Sequence, residues 1–172
     1  RLLAQARHFM GDHAAARNLA ERVLRYPPTR MPPGYTSPVP RSVSMRIVLA
    51  RILWLEGFPD QAARMAEDCV QQAADTHPIA LNQALGIAAC PIALWRGDDS
   101  AATALVARLM EHARRHSSDY WVSWARSYQA VLAVRDADPQ QDDAAATITT
   151  SNAKERDCIG TVAAALLHVD TV

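Results

Sequence analysis

The chain has 172 residues, 49% of them hydrophobic and 21% charged, which suits one domain or a short repeat array with a real core and argues against wholesale disorder. No uninterrupted apolar run approaches the roughly 18 residues of a membrane-spanning helix. Eighteen basic residues balance eighteen acidic ones, so the electrostatic footprint of a nucleic-acid binder is missing and direct contact with DNA is not expected.

Taken in chain order, residues 1–25 open on Arg1 rather than Met and read at once as helix, so the piece is expected to belong to a longer protein. Leu2, Leu3, Ala6, Phe9 and Met10 recur at helical spacing, Gly11-Asp12 interrupts them, and Ala16, Leu19, Ala20, Val23 and Leu24 resume it. Six of the ten prolines then fall between residues 27 and 40; their fixed φ and missing amide donors forbid a helix, and 26–41 is predicted to be an extended connector. A second helical pair is predicted over 42–75, reversing at Gly57 with Pro59 opening its second helix. The third, over 78–116, reverses at Gly97 and is capped by Asp98-Asp99-Ser100. A fourth is predicted over 119–153, turning between Asp136 and Gln141, and residues 159–169 suit a terminal cap.

These turns superimpose on one another. Gly11, Gly57 and Gly97 are each followed five residues later by alanine (Ala16, Ala62, Ala102), and the next small or apolar pair keeps register as Ala20 with Val23, Ala66 with Cys69 and Val106 with Leu109. The glycines are 46 and 40 residues apart (11 to 57, 57 to 97). Small residues where two antiparallel helices cross let their backbones approach, while glycine ends one helix so that the chain can reverse. A lone hairpin cannot bury its apolar face and a stack can, so the expected fold is all-α: stacked antiparallel helical hairpins, three to four repeats in one domain spanning 1–172, with a concave surface lined by the first helix of each pair.

Gly-Asp-x-x-x-Ala followed by alanine-type positions four and seven residues on resembles the hairpin signature of tetratricopeptide-like repeats, an α-solenoid family, over about residues 1–135. The segments Leu53-Trp54-Leu55-Glu56-Gly57-Phe58-Pro59-Asp60-Gln61-Ala62, Leu94-Trp95-Arg96-Gly97-Asp98, Glu111-His112-Ala113 and Tyr120-Trp121-Val122-Ser123-Trp124-Ala125 are similar, more narrowly, to the helical region that follows the ATPase module of bacterial signal-transduction ATPases. In that group the N-terminal output is often a winged-helix DNA-binding domain and sometimes a nucleotide cyclase. The resemblance implies a sensor, scaffold or oligomerisation arm without catalysis. Three departures stand out: Pro91 lies inside the first helix of the third pair, the fourth pair lacks the turn glycine, and the sequence after Asp142 does not match.

Candidates for chemistry are few. His112 and His116 are four apart beside Glu111, on one helical face where two imidazoles can share a metal, but the HExxH order and a third ligand are missing, and histidines near a helix C-terminus are favourable when charged. Asp98-Asp99 and Asp142-Asp143 sit at expected turns, where a carboxylate caps a helix. Cys69, Cys90 and Cys158 are odd in number and widely spaced, which fits buried thiols in a reducing cytoplasm rather than disulfides. No nucleophile elbow or phosphate-binding glycine loop is present. No catalytic residue, metal or cofactor is therefore assigned.

Polar and aromatic residues in the first helices are the best candidates for a ligand or partner groove: Arg51, Trp54, Asn82, Gln83, Trp121, Arg126 and Tyr128. A polar group there must either find a partner or serve recognition. The tryptophans, Trp95 among them, suit core wedges as well as groove walls. The expected function is a non-catalytic binding domain of a cytoplasmic bacterial transcriptional regulator, taking a protein or peptide partner, a small-molecule inducer or the parent protein's other domains. The alternatives are a regulatory arm of a nucleotide cyclase or other ATPase-linked enzyme, and a self-association module.

Overall fold

Helices form wherever apolar positions recur at three- and four-residue spacing, and the computed structural model, which describes residues 1–26 and 37–137, contains seven of them. They are α1 (Leu2–Phe9), α2 (His13–Arg25), α3 (Arg41–Leu55), α4 (Pro59–Ala74), α5 (Pro78–Trp95), α6 (Asp99–Arg115) and α7 (Asp119–Ala137). The described residues are all-α, with no strand among them. Most of the connector expected at 26–41 and everything predicted beyond residue 137, including Asp142-Asp143, Cys158 and the second helix of a fourth pair, lie outside the described residues.

One turn chemistry ends four of these helices. Gly11, Gly57 and Gly97 adopt φ of +82°, +83° and +71°, the left-handed region that a Cβ disfavours. At each, the glycine amide bonds the carbonyl three residues back (His8, Trp54, Leu94) and the following amide reaches five residues back (Arg7, Leu53, Ala93), at 2.9 to 3.1 Å. This is the Schellman arrangement, which satisfies carbonyls that the helix end leaves open. Ser117 completes the set at φ +51°, with Ser117 and Ser118 amides bonding Arg114 and Ala113. Two of the helices that follow are capped by a side chain: Asp12 accepts from the Ala15 amide and Asp98 from the Ala101 amide, at 3.2 and 3.0 Å.

Consecutive helices pack on one another, and the odd-numbered ones also meet: α1 touches α3, and α3 and α7 both touch the middle of α5. Position in that arrangement explains the two kinds of helix. α2, α4 and α6 each bury one stripe, such as Ala62, Ala66, Cys69 and Ala73 in α4 or Ala102, Val106, Leu109 and Ala113 in α6. α3 and α5 are enclosed on most sides and are apolar nearly all round. α5 alone among the described helices has the length and mean hydropathy (1.4) of a membrane span, and 72% of it is buried inside the protein, as befits its central position.

The middle of α5 departs from α-geometry. Residues Ala84–Ala89 form a π-helical segment, and the Cys90 amide bonds Leu85 five residues back. In that register the Gly86 carbonyl would need the amide of residue 91, which is Pro91 and has none. The Tyr128 hydroxyl from α7 donates to it instead, at 2.6 Å, in a fully buried bond. The missing Cβ of Gly86 also makes room for Trp121: a Cβ there would lie 2.5 Å from Trp121 Cζ3 and 2.9 Å from its Cε3. Pro91 and Gly86 together make α5 a socket for α7.

Candidate binding cavity

Between α1, residues 37–39, α3 and α5 lies a cavity of about 220 Å³. His8 reaches it from α1, because Ala4 and His8, four residues apart, share the buried face of that short helix. Ser44, Val48 and Arg51 come from α3 on the same spacing, and Gln83 and Ile87 come from α5.

Arg51 dominates the electrostatics. Its Nε and Nη1 are enclosed without a hydrogen-bond partner, and its guanidinium carbon sits 6.0 Å from the centre of the Trp95 ring, within cation–π range. Burial lowers its pKa from the usual arginine value, although a guanidinium keeps its proton at any physiological pH. Next to it, His8 is 6% exposed and its Nδ1 has no partner. Burial first, then the positive charges of Arg51 and His13, bring His8 down to about 4, so its imidazole is neutral at pH 7. The His8 and His13 rings lie 5.2 Å apart. None of the described residues lining the cavity is acidic.

The structure disperses the other predicted groove residues. Gln83 lines the cavity, whereas its neighbour Asn82 turns away and is buried against α6, its Oδ1 2.9 Å from His112 Nδ1. An acceptor at that distance places the ring proton on Nδ1. Trp54 is half-buried with its ring 5.7 Å from that of Trp95, one turn along from Arg51. Trp121 and Tyr128 are enclosed at the α5–α7 joint, 4% and 2% exposed, and Arg126 is exposed on α7 away from the cavity. His8 was not singled out in the sequence; its one legible signal is a polar residue in the buried stripe begun by Ala4.

A second cavity of about 200 Å³ lies between α4, α5 and α6. Two of its four charged residues have partners, since Arg96 pairs with Asp60 at 3.2 Å and Asp98 caps α6; the other two, Glu67 and Arg108, bring one charge of each sign. Cys69 and Cys90 are buried, which pushes both thiols up to about 12 and leaves them protonated. His112 and His116 stack at 4.5 Å, and no group of three or more His, Cys, Asp or Glu side chains suited to a metal occurs among the described residues. No family model, curated protein or solved structure matches the chain.

Proposed function

We propose that the chain is a non-catalytic binding module, a tetratricopeptide-like stack of helical hairpins serving as the sensor or scaffold arm of a bacterial transcriptional regulator in the cytoplasm. The observation that carries this reading is the cavity walled by the first helices of successive pairs, holding a half-buried guanidinium, two of its nitrogens enclosed, with no counter-charge among the described residues. A cavity in which polar groups converge among apolar walls is where a protein of this kind takes a ligand. The recurrence of one turn chemistry at Gly11, Gly57, Gly97 and Ser117 supports the repeat architecture.

The test is made in the full-length gene product, reading the output that its other domains provide. Arg51→Glu reverses the charge in the cavity and is expected to alter the response, whereas Arg126→Glu on exposed α7 serves as the surface control. Equal, wild-type output from both variants would remove the cavity from the function. Self-association is a second reading, favoured by the exposed apolar residues of α1 and its C-cap, where Leu2, Leu3 and Met10 are 65%, 57% and 76% exposed. Light scattering over a dilution series decides it, since a strict monomer at high concentration leaves no such role.

A further inference from the structure

We infer that the cavity is selective for a small organic anion, a carboxylate with a short apolar body whose charge is held by Arg51. The inference rests on the binding-module reading and narrows it to one ligand chemistry.

Three observations converge on it. First, no hydrogen bond or ion pair joins Arg51 to another described residue, and two of its nitrogens are enclosed. An uncompensated buried charge is costly, and an anion beside it removes that cost. Second, among the described residues the cavity wall holds no Asp or Glu to play this part. In sequence, residues 27–36 contain none either; their one charged residue is Arg30. Third, Phe9, Ile47, Val48 and Ile87 supply apolar wall for a short tail, the other polar groups of the lining (Gln5, Ser37, Ser44, Gln83 and the neutral His8) carry no negative charge, and Arg1, a second cation, already bonds Ser37 Oγ and the Val39 carbonyl. The volume, about 220 Å³, lies below the roughly 300–1,000 Å³ of sites for drug-sized molecules, so the ligand is small. Trp95 fixes the guanidinium from outside the cavity, which preorganises the charge before a ligand arrives.

Calorimetric titration of the 172-residue chain with hexanoate, hexanol and hexylamine separates charge from apolar bulk, and acetate supplies the charge without the tail. Hexanoate is expected to bind on the order of tenfold more tightly than hexanol, as one charge-assisted contact allows, with hexylamine and acetate weaker than both. Arg51→Met should abolish the preference for hexanoate over hexanol while raising the thermal midpoint of the ligand-free chain, because it removes a half-buried charge that has no counter-charge among the described residues. That rise also shows that the variant folds.

Equal binding of hexanoate and hexanol would overturn anion selection while leaving a ligand cavity in place. If none of the probes binds, the inference is likewise lost, and the broader reading is judged by the output of the Arg51→Glu regulator. A fall in the midpoint of Arg51→Met would show that the guanidinium is already paired within the chain, for example by the acidic residues beyond 137, and would also overturn it.

Discussion

Gly86 does two jobs that no other residue can do together. Its carbonyl is freed by the π-register and Pro91 for the Tyr128 hydroxyl, and its bare Cα receives the Trp121 ring. Gly86→Ala drives a methyl into a buried indole and is expected to cost about 1–3 kcal/mol. Tyr128→Phe leaves a buried carbonyl without a donor, at about 1–3 kcal/mol. Denaturant unfolding checks both, and two variants indistinguishable from wild type would refute the socket. At His8 the sign follows from burial. The folded protein holds it at about 4 against an ordinary 6.5, so below pH 6.5 the unfolded chain takes up the proton first. Stability is complete above 6.5 and declines as the pH falls toward 4, by roughly 2 kcal/mol after allowance for solvent screening at the cavity. His8→Leu should flatten that part of the midpoint-against-pH curve; an unchanged slope would contradict it.

At the scale of elements, four helix ends share one hydrogen-bond pattern but not one residue. Gly57 has open space where a Cβ would sit, so Gly57→Ala tests backbone strain alone and should cost about 1–2 kcal/mol. Ser117 holds the same conformation with a side chain, and Ser117→Gly should stabilise by about 0.5–1 kcal/mol. Opposite signs in thermal melts of the two variants are the expected result. These ends were legible in the sequence at Gly11, Gly57 and Gly97, where glycine announces the reversal. The end at Ser117 was marked only by Asp119, where the next helix was expected to start, and the aromatic run after it. Pro91 was visible as a break in the pattern, yet its consequence was not, because the answer to its missing amide lies in Tyr128, beyond the next helix.

Across the whole molecule, ion pairs run from turn to turn. Arg17 meets Glu56 beside Gly57, Asp60 meets Arg96 beside Gly97, and Asp99 meets Arg135 near the end of α7. Successive turns therefore sit side by side along one edge. Such exposed pairs contribute little individually, but Arg135 also donates to the Leu94 carbonyl at 2.9 Å, a contact that fixes α7 to the end of α5. Arg135→Ala is expected to lower stability by about 1 kcal/mol, with faster amide exchange confined to the last turns of α7. Exchange that rises evenly over all seven helices would instead place Arg135 in a global role.

Composition and spacing alone determined the helices, the glycine reversals and the small-residue stripes, because each depends on hydrogen bonds and steric contacts within a few residues of chain. The cavity, the unpaired guanidinium of Arg51 in its wall and the joint at Gly86 were decided only by tertiary structure. Arg51 and Trp95, or Gly86 and Tyr128, are some forty residues apart in sequence, and whether a buried polar group is paired is a property of what folding brings beside it. Hence Arg51 and Gln83 share a cavity while Asn82, Trp121, Arg126 and Tyr128, equally plausible by residue type, face other surroundings.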